Sequence, residues 1–121
     1  MIIGNGVDII EVKRIKNAVD KYGKGFLGRV FTDKELENAR QRTSLYQHLA
    51  GRFAVKEAVF KALGDMKLGF RDVEVLNDCQ GKPYCSLLRH KQSDFNIYVS
   101  ISHIKNYAVA SAIITKEESS A

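Results

Sequence analysis

The stretch from Ser44 to Leu63 constrains the fold more than any other part of the chain. Leu45, Leu49, Phe53, Phe60 and Leu63 recur at helical spacing, and Ala54, Val55, Ala58, Val59 and Ala62 carry the apolar surface nearly all the way round. A helix apolar on most sides must be central, packed by several neighbours. Gly64 is its natural stop, because glycine accepts the left-handed backbone that ends helices.

The remaining segments are elements that can surround such a helix. Residues 2–10 are rich in Ile and Val and interrupted by Gly4 and Gly6, which reads as a buried strand with two points of close backbone approach. Residues 11–22 place Val12, Ile15 and Val19 at helical spacing among Lys13, Arg14, Lys16 and Lys21, an amphipathic helix with a basic face. Gly23, Gly25 and Gly28 are expected to break up the helical pattern over residues 23–28. Thr32-Asp33-Lys34-Glu35 matches a capping box, predicting a short helix to about Arg40. From Asp72 onward the pattern is strand-like over 73–78, 83–88, 96–103 and 107–115, with a turn near Lys105-Asn106 joining the last two. This order predicts an α+β fold, a mostly antiparallel sheet with helices packed on one face.

The chain has 121 residues, enough for one domain spanning 1–121. With 45% hydrophobic and 27% charged residues, it is not a disordered chain. A domain this small buries a modest fraction of its surface, so oligomerisation would add stability. No apolar run approaches the ~18 residues of a membrane span. No cationic stretch precedes the first apolar residues, so no signal peptide is expected. Cys79 and Cys85 have no second pair with which to form a zinc knuckle, and their spacing is not that of a redox motif; they read as small hydrophobes near the later strands. A soluble cytoplasmic protein is the expectation. The net charge of +5 favours an acidic partner. Residues 11–29 alone carry +4 of it, through Lys13, Arg14, Lys16, Lys21, Lys24 and Arg29 against Glu11 and Asp20. Arg14 and Lys21, seven apart, lie on roughly the same side of their helix. Such a run is either a solvated face or a docking surface.

Each residue that can carry chemistry also has a plainer reading. Asp8 lies in an apolar strand with the parity of Gly4, Gly6 and Ile10, so its carboxylate must cap a helix, pair with a cation or bind a metal. Glu57 lies between apolar neighbours on the central helix, where it either pairs with Lys61 one turn on or serves a site. Together the two acids suggest a Mg²⁺ site, since Mg²⁺ is held by one or two carboxylates plus water and phosphate oxygens. Nothing in the sequence alone brings residue 8 to residue 57. Lys56, Lys61 and Lys82 would suit a pyrophosphate. His103 ends a strand, as a partly buried histidine bonded to backbone or as a ligand-facing one. Gly81-Lys82-Pro83 is a turn whose lysine can point at phosphate. There is no P-loop and no GxGxxG.

Taken together, these segments resemble the holo-acyl-carrier-protein synthases, the short bacterial type of phosphopantetheinyl transferase. The resemblance rests on Gly6-Val7-Asp8-Ile9-Ile10 with Arg14-Ile15, and more firmly on the run from Arg52 to Gly64 with its F-A-x-K-E-A-x-x-K-A-L core. Gly81-Lys82-Pro83 and Ser100-Ile101-Ser102-His103 complete the set, which spans residues 2–115. Val55 is a small departure, where the family more often has Ala. The resemblance implies transfer of 4′-phosphopantetheine from coenzyme A to a serine of apo acyl carrier protein, releasing adenosine 3′,5′-bisphosphate. It implies Mg²⁺ on Asp8 and Glu57, and coenzyme A held by Arg52, Lys61, Gly64, Lys82, Pro83 and His103. Glu57 and Lys61 are the catalytic candidates. Glu57 acting through a metal-bound water is one candidate base; Asp8 and a water alone are rivals. The carrier, which is acidic, would meet Arg14, Lys21 and Lys24. A homotrimer with active sites between subunits is also implied.

Two other classes fit parts of the sequence. A basic nucleic-acid-binding module accounts for the charge, but it calls for aromatic residues interleaved with the basic ones. Only Tyr22 and Phe26 stand near the basic helix. A non-catalytic metabolite-binding protein accounts for the lysines and His103, but gives no reason for two carboxylates on packed faces.

Overall fold

The structure is a computed structural model and describes residues 1–64, 67–89 and 95–117. Strand β1 (Ile2–Glu11) runs directly into helix α1 (Val12–Tyr22), followed by α2 (Lys24–Val30), α3 (Asp33–Arg40) and the long α4 (Leu45–Leu63). A 3₁₀ turn (Phe70–Asp72) leads to β2 (Val73–Asn77) and β3 (Pro83–Leu87). Strands β4 (Asn96–His103) and β5 (Tyr107–Thr115) end the fold. All strand pairs are antiparallel. They form two ladders: a sheet in the order β1-β5-β4, and the hairpin β2-β3.

Helix α4 is central, as its composition demands. Ala50, Ala54, Val55, Ala58 and Val59 are fully buried. It packs against the inner face of the three-stranded sheet, where Gly4, Gly6 and Asp8 of β1 lie beside Ile114, Ala112 and Ala110 of β5. Both surfaces are small-residue surfaces. Ala50, Ala54, Ala58 and Ala62 recur every fourth residue along α4, and Ala58 and Ala62 meet the glycines of β1. The backbones therefore approach so closely that a Cβ on Gly4 would fall 2.0 Å from the Ala62 carbonyl oxygen, and one on Gly6 2.1 Å from that of Ala58. These are the two close approaches expected in the first strand. The alternate residues Ile3, Val7 and Ile9 face outward and are exposed.

The capping box forms as predicted. Thr32 Oγ1 accepts from the Glu35 backbone N–H, and Glu35 Oε1 accepts from that of Thr32. The interruption expected over residues 23–28 is confined to Gly23. Gly23, at φ +54°, separates two helices, and Gly25 and Gly28 lie within α2. Burial of Val30 and partial burial of Phe26 and Leu27 against the core outweigh the low helix propensity of glycine there. Cys85 is buried in β3 as a small hydrophobe, whereas Cys79 is exposed in the β2–β3 turn. Among the described residues, no helix is long and apolar enough to cross a membrane.

Candidate active site

Packing α4 onto β1 brings together the two carboxylates that the sequence leaves apart. Asp8 and Glu57 line one cleft of about 310 Å³, with Arg14, Ile15 and Ala18 of α1, Phe26 of α2 and Phe53 of α4. The cleft is polar at the acids and apolar at the two phenylalanines. Burial and the neighbouring Asp8 charge raise the Glu57 pKa, while Lys61 opposes them. Glu57 thus holds its proton more firmly than an ordinary carboxyl.

Lys61 does not pair with Glu57 one turn away. Its ammonium donates to Asp8 Oδ1 at 3.2 Å and to the Val7 carbonyl at 3.0 Å. This also settles the plainer readings of Asp8. It pairs with a cation, and α1 has no side-chain cap at its N-terminus.

Lys56, read as a pyrophosphate neighbour, lies elsewhere. Its side chain is fully buried and its ammonium donates to Glu35 Oε1 at 2.7 Å and to the carbonyls of Val30, Phe70 and Val73. One residue is 100° of helix, enough to turn Lys56 into the α2–α3–β2 side while Glu57 faces the cleft. Glu35 also accepts from the Val75 backbone N–H, so the network around this ion pair ties α2, α3, the 3₁₀ turn and β2 to α4.

Arg52 and His103 share a second cleft, with Arg42, Thr43, Ser44, Gln47 and His48. His103 is exposed there, which removes its reading as a partly buried histidine. Burial, with Arg42 adding repulsion, lowers the Arg52 pKa to about 10. Burial and the charges of Arg52, Arg42 and His103 lower that of His48 to about 4, leaving it neutral near pH 7. Arg42 and His48 are additions to the expected site residues. A signal for His48 is present in the sequence, since it lies one helical turn before Arg52.

Lys82 and Pro83 line a third cleft with Asp78, Tyr84, Ile97, Tyr98 and Val99. Gly64 ends α4 at φ +69° and is exposed. Lys21 and Lys24 are exposed on α1 and α2, and Lys21 lies 5.3 Å from the Tyr22 ring centre. Within one chain, the structure unites Asp8, Glu57 and Arg14, and Arg52 with His103. Lys82 and Pro83 line a different cleft from both groups, but their turn adjoins Arg52 through Asn77, which accepts from Arg52 and faces Pro83 across the β2-β3 ladder.

Residues 4–112 match the family model for the 4′-phosphopantetheinyl transferase superfamily. The chain belongs to that superfamily. A relative named holo-[acyl-carrier-protein] synthase, from Fusobacterium nucleatum, is 44% identical over 123 residues, covering 94% of this chain and 99% of that protein. The fold is similar to the crystal structure of a holo-(acyl-carrier-protein) synthase from Bacillus anthracis in complex with CoA (3′,5′-ADP). The TM-score is 0.83 and the identity 38%, over 97% of this chain and 99% of that one. It is also similar to the holo-[acyl-carrier-protein] synthase of Neisseria meningitidis, with a TM-score of 0.86 and 33% identity, over 96% and 100% of the two chains. The α+β architecture of this superfamily member is thus shared along nearly its whole length.

Proposed function

We propose that the protein transfers 4′-phosphopantetheine from coenzyme A to a serine hydroxyl of apo acyl carrier protein. The observation that carries this reading is the convergence of Asp8 and Glu57 in one cleft of a chain from this superfamily. The donor set fits Mg²⁺. Two carboxylates face one space closely enough for Asp8 to raise the Glu57 pKa, and all their donors are oxygen. Among the described residues no three His, Cys, Asp or Glu side chains converge, so substrate phosphate and water would complete the shell. When bound, Mg²⁺ would neutralise the pyrophosphate and polarise it toward attack.

The residues divide the remaining work. The serine oxygen attacks the phosphorus that carries the pantetheine arm. The bond from that phosphorus to the bridging oxygen breaks, and adenosine 3′,5′-bisphosphate leaves. Glu57, acting through a water, takes up the serine proton, with Asp8 and a water alone as the rival bases. Lys61, released from Asp8, stabilises charge on the leaving phosphate. Arg52 and His103, with Lys61, Gly64, Lys82 and Pro83, hold the phosphates and adenosine. Arg14, Lys21 and Lys24 meet the acidic carrier, and the presence of Arg14 in the Asp8–Glu57 cleft supports entry of the serine from the α1 side.

A homotrimer with sites between subunits accompanies this reading. The outer face of the β1-β5-β4 sheet supports it, with Ile3, Val7, Ile9, Tyr98 and Ile113 all at least 40% exposed.

Mass spectrometry of an apo carrier protein incubated with the protein, coenzyme A and Mg²⁺ tests the reading. A mass gain of one phosphopantetheine is expected, lost with Asp8→Ala and with Glu57→Gln. No gain with the unmodified protein would refute the function, and near-normal turnover in either variant would remove that residue from the site.

A further inference from the structure

Asn77 ends β2 and its carboxamide uses both of its polar atoms. Its Oδ1 accepts a hydrogen bond from Arg52 Nη2, and its Nδ2 donates to the Gly81 carbonyl at 2.7 Å. The second bond fixes the first: a flipped amide would set two acceptors and two donors against each other. Asn77 faces Pro83 across the ladder, and its side-chain bond to Arg52 ties this end of the hairpin to α4. The turn itself is closed from within. Asp78 Oδ1 accepts from the backbone N–H groups of Gln80 and Lys82, both at 2.9 Å, and the Asp78 carbonyl accepts from Gly81. The turn therefore offers Asn77 a rigid anchor.

The chemistry of the partner matters more than the anchorage. Arg52 is only 7% exposed, and an arginine that buried is ordinarily paired with a carboxylate. Among the described residues, no carboxylate forms an ion pair with it; Glu35, which acts on it through space, is itself paired with Lys56. The acceptor is a neutral amide, and the cleft beside it holds Arg42, His48 and His103 but no acid. A neutral acceptor orients the guanidinium without cancelling its charge.

We propose that Asn77 is a positioning residue for coenzyme A. It aims the Arg52 guanidinium into its cleft while leaving the positive charge unneutralised for a phosphate group. The inference rests on the proposed function, which places Arg52 on the phosphates.

Asn77→Asp tests it, because aspartate keeps the shape and the acceptor but adds the missing negative charge. Coenzyme A binding to the full chain is measured by calorimetry, alongside the melting temperature. Asn77→Asp is expected to weaken coenzyme A at least tenfold while the melting temperature stays level or rises, since the new ion pair holds Arg52 at least as well. Asn77→Ser, which loses both bonds, is expected to weaken it several-fold with a lower melting temperature. A purely structural role predicts the opposite for aspartate, and affinity within twofold of wild type would overturn the proposal. Arg52→Ala separates the two levels of the argument. If Arg52→Ala leaves affinity unchanged, the assignment of Arg52 to the phosphates fails, and this inference falls with it. If Arg52→Ala weakens binding, then Asn77→Ser, which adds no charge, must cause no further loss in that background; an additional several-fold loss there would overturn the positioning role alone.

Discussion

Gly6→Ala puts the smallest possible side chain at the contact that assembles the site. The new Cβ would lie 2.1 Å from the Ala58 carbonyl oxygen, 3.0 Å from its carbon and 3.1 Å from the Ala62 nitrogen. All three are backbone atoms of α4, so no side chain can swing aside. Relief to a tolerable contact needs α4 and β1 to part by about 1 Å. Overpacking of a tight core costs about 1–3 kcal/mol, and a backbone-on-backbone clash belongs at the upper end of that range. The same displacement acts on the site, because Glu57 precedes Ala58 on α4 and Asp8 lies two residues beyond Gly6 on β1. A misplacement of ~1 Å between reacting groups can lower a rate ~100-fold.

Two measurements on the same variant check this: urea unfolding for stability and the carrier mass-shift assay for transfer. We expect a loss of ~3 kcal/mol and a rate lower by about two orders of magnitude at a temperature where the variant is folded. Gly25→Ala is the control. It lies in α2 with nothing within 4 Å of its Cβ position, so alanine should stabilise by ~0.5–1 kcal/mol and leave transfer unchanged. A Gly6→Ala protein with wild-type stability and transfer would refute the claim that this contact sets the Asp8–Glu57 geometry.

Lys56→Met should destabilise the fold by ~3–5 kcal/mol in urea unfolding, because it strands the buried Glu35 carboxylate; a loss of under ~1 kcal/mol would show that the network relaxes. His48, with its pKa lowered to about 4, binds fewer protons folded than unfolded between pH 6.5 and 4. The stability from its neutral form is therefore full above pH 6.5 and is lost as the pH falls through that window. His48→Gln should flatten the decline in melting temperature between pH 7 and pH 4.5, and an unchanged slope would place the acid sensitivity elsewhere. Arg14→Glu should raise the KM for the carrier several-fold at low salt and flatten its salt dependence, with coenzyme A affinity unchanged. Equal carrier KM values at low salt would assign Arg14 to a merely solvated face.

How far the sequence discloses this molecule depends on whether a residue's fate is local. The capping box at Thr32–Glu35 and the strand parity of Asp8 involve neighbours a few residues away, and both are legible. The central place of α4 is legible as well, because a helix apolar on most sides has no other place to go. Helix α2 is not. Its glycines oppose helix locally, and only burial of Phe26, Leu27 and Val30 against distant residues reverses the balance. Arg52 is half legible: its charge is visible, but the neutral acceptor that orients it comes from 25 residues away.

Lys56 and Glu57 show the limit most sharply, since they are adjacent ionisable residues on one helix with opposite fates. Nothing in either residue type says which is structural. The decision lies in what each side of α4 meets. One side meets backbone carbonyls of Val30, Phe70 and Val73 together with Glu35, a set of acceptors that calls for a cationic donor and cannot accommodate a carboxylate. The other meets β1 through Gly4 and Gly6, whose missing side chains let the helix settle until Glu57 lies beside Asp8. Exchanging the two, Lys56→Glu together with Glu57→Lys, would keep composition, charge and helix propensity. It would also leave a carboxylate among carbonyls and an ammonium beside Asp8 and Lys61. The pairing of the carboxylates is thus encoded less in the acids themselves than in the two glycines and the register of Ala58 and Ala62 that seats one element on the other.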